Sequence, residues 1–372
     1  MTLSTFDFQM MARAIKLAKK ALYTTSPNPR VGCVITQGET IVGEGYHIQA
    51  GEPHAEVHAM RAAGENANGA TAYVTLEPCS HFGRTPPCAL GLINAGVKKV
   101  VIGMTDPNPK VSGRGIKMLK DAGIEVISGC LETDAKALNP GFIKRMLVKK
   151  PWVRLKMASS LDGRTAMASG ESQWITGPQA RADVQKYRAM SCAILTGSGT
   201  VNVDNPALVV REAQLGCSDY PLDSIRQPLR VVIDNQHSVL AENGLFNHTS
   251  PVLMVSNNER ASWPHPHVSN LTLEQTGRYV DLNELLLELG KREINEVWLE
   301  AGSVLAGAFI EQNLVDELIL YQAPKLLAEN TQGLLKIDTL TELKQASQWQ
   351  FQSVTQVGND LKLVLTPNQE CE

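Results

Sequence analysis

The chain contains Thr-Leu-Glu-Pro-Cys-Ser-His-Phe-Gly-Arg-Thr-Pro-Pro-Cys at positions 75–88 and Pro-His-Ala-Glu at positions 53–56. His54, Cys79 and Cys88 are side chains of the types that bind zinc. Catalytic zinc usually has three protein ligands and leaves its fourth position to water. Glu56 then remains free to move protons. Together the two segments predict a zinc hydrolase that activates water.

The spacing of these residues can be compared with known zinc patterns. Nucleobase deaminases with an H-x-E…P-C-x-x-C pattern also use a glutamate that is not a ligand. Here Cys88 follows Cys79 by nine positions rather than three. A disulfide between Cys79 and Cys88 is one alternative, but it would leave His-Ala-Glu unexplained. A metal pair of His54 and His58 is another, although the order of residues is not the H-E-x-x-H of zinc proteases, and we interpret His58 as packing.

The composition is that of a globular protein with two domains. The chain has 372 residues, of which 43% are hydrophobic and 20% charged, and each half is long enough to bury a core. A net charge of -3 gives no general attraction to polyanions, so we expect no nucleic-acid partner. Residues 1–21 lack the apolar centre of a signal peptide, and no apolar run approaches the ~20 residues that span a bilayer. With seven scattered cysteines, this predicts a cytoplasmic protein.

The first half of the chain alternates between helical and strand periodicity, which predicts a layered sheet with helices on both faces. The predicted strands are 31–36, 40–45, 71–76, 97–103 and 124–128, and the predicted helices are 6–22, 53–63, 88–95, 118–122 and 135–147. The sequence Lys149-Lys150-Pro151 is the predicted domain boundary.

The second half also alternates, with strands predicted at 152–157, 193–196, 229–234, 251–256, 296–300, 316–321 and 361–366. Its glycine motifs are weak signals. Gly197-Ser198-Gly199 lacks the third glycine of a dinucleotide fingerprint. Residues 302–307 follow a strand and start a predicted helix, whose amides could hold a phosphate. Each motif taken alone is more typical of a tight turn, and residues 212–227 are predicted to form an irregular surface loop.

The wide cysteine spacing, with Asn28-Pro29-Arg30-Val31-Gly32 upstream, resembles the deaminase half of the RibD family of bifunctional riboflavin-biosynthesis deaminase/reductases. Residues 159–166, 170–176, 197–201 and 204–206 resemble its reductase half. The resemblance covers nearly the whole chain. It implies a cytidine-deaminase-like three-layer α/β/α domain at 1–149 and a dihydrofolate-reductase-like α/β domain at 150–372.

The resemblance implies two reactions and two cofactors. One zinc ion per chain would serve the deamination of a diaminopyrimidinone ribosylamino phosphate to the aminouracil. NADPH would then deliver a hydride to C1 of the ribose, which opens it to ribityl, and the protein would bind and orient the reactants. Glu56 would take the proton of the water, pass it to the ring nitrogen and protonate the departing ammonia. The residues alone do not distinguish NADPH from NADH.

The resemblance also implies contacts for individual residues. Asn28 would lie against the pyrimidine ring, although by itself it is equally typical of a turn. His81 and Arg84 would either contact base or phosphate or shape their loop. In the reductase half, the expected substrate contacts are Lys156, Ser172, Arg188, Leu208, Arg211 and Glu300. The expected cofactor contacts are Ala158, Trp174, Thr200, Asp204, Asn235, Gly302, Ser303, Val304, Leu305, Ala306, Gly307 and Ala308.

Several alternatives stay open at this point. Residues 106–115 are typical of a lid or phosphate contact and equally of a solvated loop. A transfer-RNA deaminase would be expected to have a basic face, which the net charge disfavours. A zinc-stabilised interaction protein would leave Glu56 idle, since structural zinc fills all four ligand positions. We expect a small-molecule partner, no membrane partner, and a homo-oligomer, either a dimer or a tetramer.

Overall fold

The computed structural model describes residues 2–80, 86–109, 111–216, 220–276 and 279–368. The chain forms two compact units. One comprises Met1–Lys149 with Asp219–Asp223, and the other comprises Lys150–Ser218 and Ser224–Glu372. Each unit contains one large sheet with its own hydrophobic core. None of the helices in the described ranges is long and apolar enough to cross a bilayer.

The first unit has a five-stranded sheet in the order β2-β1-β3-β4-β5. Strand β1 is antiparallel to β2 and β3, whereas β3, β4 and β5 are parallel. The strands are β1 (Gly32–Gln37), β2 (Thr40–Tyr46), β3 (Thr71–Leu76), β4 (Lys99–Met104) and β5 (Glu125–Ser128). The helices are α1 (Thr5–Ala18), α2 (Ala55–Ala63), α3 (Cys88–Asn94), α4 (Arg114–Asp121), α5 (Glu132–Ala137) and α6 (Pro140–Val148).

Both faces of this sheet are covered by helices. Successive side chains of a strand point to opposite faces. Ile35 packs in a cluster with Ala59 of α2, whereas its neighbour Val34 packs in another with Met11 of α1. All four side chains are fully buried. The predicted three-layer α/β/α arrangement is therefore confirmed.

Two helix predictions in this unit need correction. Helix α2 begins at Ala55 rather than Pro53, so His54 is its N-cap, in an extended conformation, and not part of its first turn. The helix predicted over 135–147 is two helices, because Asn139 interrupts it and Pro140 starts α6. Proline has no N–H to donate within a helix, and it suits the first helical position.

The second unit has a nine-stranded sheet in the order β11-β10-β9-β8-β14-β6-β15-β18-β17. Seven strands are parallel, and β18 and β17 add to β15 in antiparallel pairing. The strands of the whole unit, of which nine form this sheet, are β6 (Trp152–Ser159), β7 (Arg164–Ala166), β8 (Ala193–Gly197), β9 (Leu229–Ile233), β10 (Val252–Ser256), β11 (Val268–Thr272), β12 (Gln275–Thr276), β13 (Tyr279–Val280), β14 (Glu296–Glu300), β15 (Glu317–Gln322), β16 (Gln332–Gly333), β17 (Trp349–Val357) and β18 (Asp360–Pro367). The helices are α7 (Pro178–Met190), α8 (Ser198–Asp204), α9 (Glu212–Leu215), α10 (Leu282–Lys291) and α11 (Ser303–Glu311).

Helices cover both faces of this sheet too. Leu195 of β8 packs in one cluster with leucines of α10, and its neighbour Ile194 packs in another with Val184 of α7. The sequence prediction did not include β11, β17 or α10, and the loop predicted over 212–227 contains the short helix α9. Helix α10 has a clear signal, since Asp281 caps it and leucines recur at helical spacing. Strand β17 also has a signal, because Trp349 and Phe351 alternate with glutamines, although most of its side chains are exposed.

Candidate functional site

The three predicted zinc ligands meet at one edge of the first sheet. Cys79 follows the carboxyl end of β3, Cys88 is the first residue of α3, and His54 is the N-cap of α2. The His54 Nδ1 atom lies 3.3 Å from the Cys88 Sγ and 3.7 Å from the Cys79 Sγ. One potential ligand atom from each residue lies within 4.8 Å of the others.

These distances fit a zinc ion. Nitrogen and sulfur ligands at about 2.1 and 2.3 Å from a tetrahedral metal lie about 3.5 Å apart. Both cysteines are free thiols, so no disulfide competes for them. Within the described part of the chain, this is the sole group of three or more potential ligands at such distances, and His58 is not part of it.

The two sulfurs differ in their electrostatic surroundings. The Cys88 side chain beside Cys79, together with the Cys88 backbone N–H at 3.3 Å and His54, lowers the pKa of the Cys79 thiol to about 4. Cys79 in turn raises the pKa of the Cys88 thiol above its usual range. These surroundings favour the thiolate form of Cys79, which is the form that binds metals.

Glu56 lies in the first turn of α2, two residues after His54, and is 3% exposed. Burial raises the pKa of its carboxyl to about 7, and the nearby Cys79 charge adds to that effect, while His54 opposes it. Its carboxylate does not belong to the ligand group. A buried carboxyl that titrates near neutral pH beside a metal site can act as both a general base and a general acid.

His47 is a residue of this site that the sequence analysis missed. Its Nδ1 lies 3.1 Å from the Pro53 carbonyl oxygen, which can only accept, so Nδ1 carries the proton. Its Nε2 then accepts from the Asn28 amide at 3.1 Å. Burial lowers the pKa of His47 to about 4, so it is neutral. The ring also packs edge-on against the His54 ring, which places Asn28 beside the metal ligands. A single histidine after β2 carries no spacing signal in the sequence.

His81 and Arg84 lie outside the described residues, so their predicted contacts with base or phosphate stay predictions.

In the second unit, three of the predicted substrate residues come together at the carboxyl ends of neighbouring strands. Lys156 of β6 and Glu300 of β14 are register partners. Arg188 of α7 holds Glu300 with two hydrogen bonds of 2.6 and 2.8 Å, and the Trp298 indole donates a third at 2.7 Å. Burial alone would raise the pKa of Glu300. The charges of Arg188 and Lys156 outweigh this effect and hold the pKa of Glu300 at about 2. Burial lowers the pKa of Lys156.

Three of the five N–H donors of Arg188 are engaged within the protein, so two remain for a phosphate. Its Nη1 donates to the Val209 carbonyl at 2.9 Å. The Arg211 backbone N–H donates to the side chain of Gln185 on α7, also at 2.9 Å. Leu208 is 2% exposed and packs in the core, so its side chain is not accessible for the substrate contact predicted there.

Of the predicted cofactor residues, Asp204 accepts hydrogen bonds from Ser172 at 3.4 Å and Gln173 at 3.5 Å. Thr200 lies one turn earlier on α8. The Arg181 guanidinium lies 4.4 Å from the centre of the exposed Trp174 ring.

The other predicted cofactor positions divide into open and enclosed ones. Ala158 lies near the end of β6. The Asn235 Oδ1 is buried and has no hydrogen-bond partner among the described residues. Gly302 caps α11, as predicted for the start of a helix, and Ser303 and Val304 are accessible. The following positions are buried, so only backbone amides of the first turn can face a phosphate. The buried positions are Leu305, Ala306, Gly307 and Ala308.

Comparison with known proteins covers both units. Residues 4–104 match the cytidine and deoxycytidylate deaminase zinc-binding region, and residues 151–363 match the RibD C-terminal domain. The riboflavin biosynthesis protein RibD of Haemophilus influenzae is 53% identical over 367 residues, 98% of each chain. Two solved structures also superpose on nearly the whole chain. That of RibD from Acinetobacter baumannii has a TM-score of 0.92 at 45% identity, covering 98% of this chain and 99% of the other.

The second solved structure comes from Thermotoga maritima and is described as a diaminohydroxyphosphoribosylaminopyrimidine deaminase/5-amino-6-(5-phosphoribosylamino)uracil reductase. It has a TM-score of 0.86 at 34% identity and covers 97% of this chain and 99% of its own. The two family models match one unit each, and all three proteins match across both units. The chain therefore belongs to the RibD family.

Proposed function

We propose that this protein catalyses two consecutive steps of riboflavin biosynthesis. Residues 1–149 would deaminate a diaminopyrimidinone ribosylamino phosphate to the aminouracil, and residues 150–372 would reduce its ribosyl group to ribityl. Membership of the RibD family supports both activities. The alternative of a transfer-RNA deaminase is not favoured, because the match to the RibD C-terminal domain accounts for residues 151–363.

The observation that carries the first activity is one imidazole and two thiols within ligand distance, with a buried carboxyl beside them that is not a ligand. His54, Cys79 and Cys88 would hold the zinc ion. Bound zinc lowers the pKa of water from about 16 to roughly 7. Glu56 would accept one proton of the attacking water and deliver it to the pyrimidine nitrogen. It would later take the second proton from the hydroxyl now on the ring carbon and pass it to the departing amine. Its pKa of about 7 suits both proton transfers.

Asn28 would orient the pyrimidine in this site. Its side-chain NH2 group donates to the neutral His47, which fixes the orientation of the amide. The amide oxygen takes no part in this hydrogen bond. Because His47 also contacts the His54 ring, the same residue would align the substrate contact and a metal ligand.

In the reductase half, bound NADPH supplies the hydride for C1 of the ribose. Lys156 and Glu300 would orient the pyrimidine from adjacent strand ends, since Arg188 and Trp298 hold the Glu300 carboxylate in one place. Arg211 would then contact the substrate phosphate. Ser172, Thr200, Asp204, Trp174, Asn235 and the first turn of α11 would surround the cofactor.

We further propose that the protein acts in the cytoplasm as a homo-oligomer, a dimer or a tetramer, with a small-molecule substrate and no nucleic-acid partner. Size-exclusion chromatography with light scattering would test the assembly, and a monomeric mass at micromolar concentration would contradict it.

One assay tests the two activities separately. The diaminopyrimidinone ribosylamino phosphate is supplied with NADPH or NADH, and ammonia release and cofactor absorbance are followed independently. We expect ammonia without any cofactor, and NADPH oxidation only after deamination. Purified protein should carry about one zinc per chain. Ammonia release from a protein with less than about half an equivalent of metal would contradict the role of His54, Cys79 and Cys88.

A further inference from the structure

Glu77 is a buried acidic residue that the proposed mechanism does not use. It lies between the end of β3 and Cys79 and is 4% exposed. Its carboxylate accepts four hydrogen bonds, all from backbone N–H groups. Oε2 accepts from Asp106 at 3.1 Å and Gly113 at 3.0 Å, and Oε1 accepts from Gly115 at 2.9 Å and Ile116 at 3.2 Å.

These four donors belong to the segment that leads from β4 into α4. Strands β3 and β4 are parallel, with Leu76 opposite Met104, and the Glu77 N–H continues the pairing by donating to the Met104 carbonyl at 2.9 Å. The segment therefore leaves the sheet at the edge where the metal ligands meet. Gly113 is the N-cap of α4 and has a φ of 77°, which favours glycine. A carboxylate at this helix end is favourable because the N-terminal amides carry partial positive charge.

A second contact joins the same segment to the metal-ligand side. Gly115 packs so closely on Pro78 that a Cβ there would lie 2.0 Å from the Pro78 carbonyl oxygen. Pro78 is the residue between Glu77 and Cys79. The start of α4 is thus fixed by hydrogen bonds to Glu77 and by packing on Pro78, the two residues that precede the ligand Cys79.

We propose that Glu77 is a positioning residue of the deaminase. It fixes residues 106–109 and the start of α4 beside the metal ligands. These residues form one rim of the deaminase site and contact the pyrimidine substrate. Glu77 itself does not touch the reacting atoms. This inference rests on the proposed deaminase function. It predicts an effect on substrate affinity rather than on metal binding or the chemical step.

The variant Glu77→Gln tests this role at constant side-chain size. A glutamine replaces one acceptor oxygen by an NH2 group, which would face two N–H donors and lose two of the four hydrogen bonds. We expect about one zinc per chain and a KM for deamination raised by about tenfold, with kcat changed by less than about threefold. Reductase activity on the aminouracil substrate should equal that of the wild type.

Asp7→Asn is the matched control. Asp7 is also 4% exposed and accepts hydrogen bonds from Ser4 and the Tyr73 hydroxyl, but it belongs to α1 on the opposite face of the same sheet. Asp7→Asn should lower the thermal stability and leave the KM of deamination unchanged. If both variants raise KM alike, the effect is general destabilisation and the proposal is wrong.

Two further measurements complete the test. Hydrogen exchange should accelerate in the peptide over 104–117 of Glu77→Gln and not of Asp7→Asn. If Glu77→Gln does not fold, Glu77→Asp replaces it, since the shorter carboxylate should still raise KM. A KM within about twofold of wild type, or loss of zinc, would overturn the positioning role. Absence of ammonia release from the wild type would instead remove the deaminase function, and this role with it.

Discussion

The two candidate sites differ in how far side chains alone assemble them. In the first unit, His54, Cys79 and Cys88 lie within ligand distance of one another, with Glu56 buried next to them. In the second unit, the predicted contacts extend over several strand ends, three helices and several loops. Among these contacts, Lys156, Arg188 and Glu300 form a compact charged group.

The difference follows from what each site must hold. A zinc ion is bound by a few side-chain atoms about 2 Å away, so the fold must place the ligand side chains close to one another. A dinucleotide is bound over a long surface, largely by backbone groups at helix ends and loops. The metal site therefore depends on a few residues, whereas the reductase site depends on a charged network that fixes the substrate end.

The largest effect is expected from Glu56→Gln. The variant keeps the metal ligands but cannot transfer protons, so deamination should fall by about 10³-fold, or about 4 kcal/mol in barrier. Zinc content and reductase activity should stay at wild-type values. Glu52→Gln, at an exposed position in the loop before α2, is the control and should be fully active. Ammonia release near wild type from Glu56→Gln would show that another group moves the proton.

The second prediction concerns the charged group of the reductase. Arg188→Met leaves the Glu300 carboxylate buried without its two-bond partner, which should cost about 3 kcal/mol of folding stability or more. Reductase activity should be lost while deamination persists. Lys186→Met, at an exposed position on the same helix, should change stability by less than about 0.5 kcal/mol. Equal loss of both activities in Arg188→Met would contradict the separate dependence of the two sites.

The third prediction is the pH dependence of that network. The pKa of Glu300 falls from 4.5 to about 2 on folding. Its contribution is therefore complete above about pH 5 and is lost as the pH falls towards 2, and it is worth roughly 3 kcal/mol. Urea unfolding of wild type and Glu300→Gln at several pH values measures it. The stability difference should shrink as the pH falls, and a constant difference would mean that folding does not shift the pKa of Glu300.

The sequence predicted the first site well because its chemistry depends on residue types at fixed spacing. His54 caps a helix whose first turn contains Glu56, Cys79 follows a strand and Cys88 begins a helix, and each of these local structures has its own signal. Assembly then needed only that the strand and both helices meet at one sheet edge. His47 was missed since its role depends on a contact with Asn28 across the fold.

The second site shows where such reasoning ends. The RibD resemblance supplied its residues one by one, but burial decides which atoms can act. Leu208 was predicted as a substrate contact, and its side chain is in the core. Arg188 was predicted to suit a phosphate, and its guanidinium holds Glu300. These outcomes depend on long-range packing, which no local pattern records. The strand prediction overlooked β17, although Trp349 and Phe351 alternate with glutamines there.

The smallest effect tests whether the two units also differ in how their helices are stabilised. Ser4 caps α1 in the first unit, where its Oγ accepts from the Asp7 N–H at 3.1 Å. Asp281 caps α10 in the second, accepting from the Glu284 N–H at 2.9 Å. Each cap satisfies a helix amide that has no partner within the helix. Ser4→Ala and Asp281→Ala should each therefore lower stability by about 1 kcal/mol.

Thr5→Ala is the control for the first cap, since Thr5 starts α1 without capping it and should change stability little. Chemical unfolding can be followed by zinc release for the first unit and by loss of reductase activity for the second. Because each cap accepts one hydrogen bond from a helix amide, equal shifts would mean that the units differ in their sites and not in how local structure supports them. A negligible shift for Ser4→Ala alone would indicate that the Asp7 network with Tyr73 and Lys99 already fixes α1 without its cap.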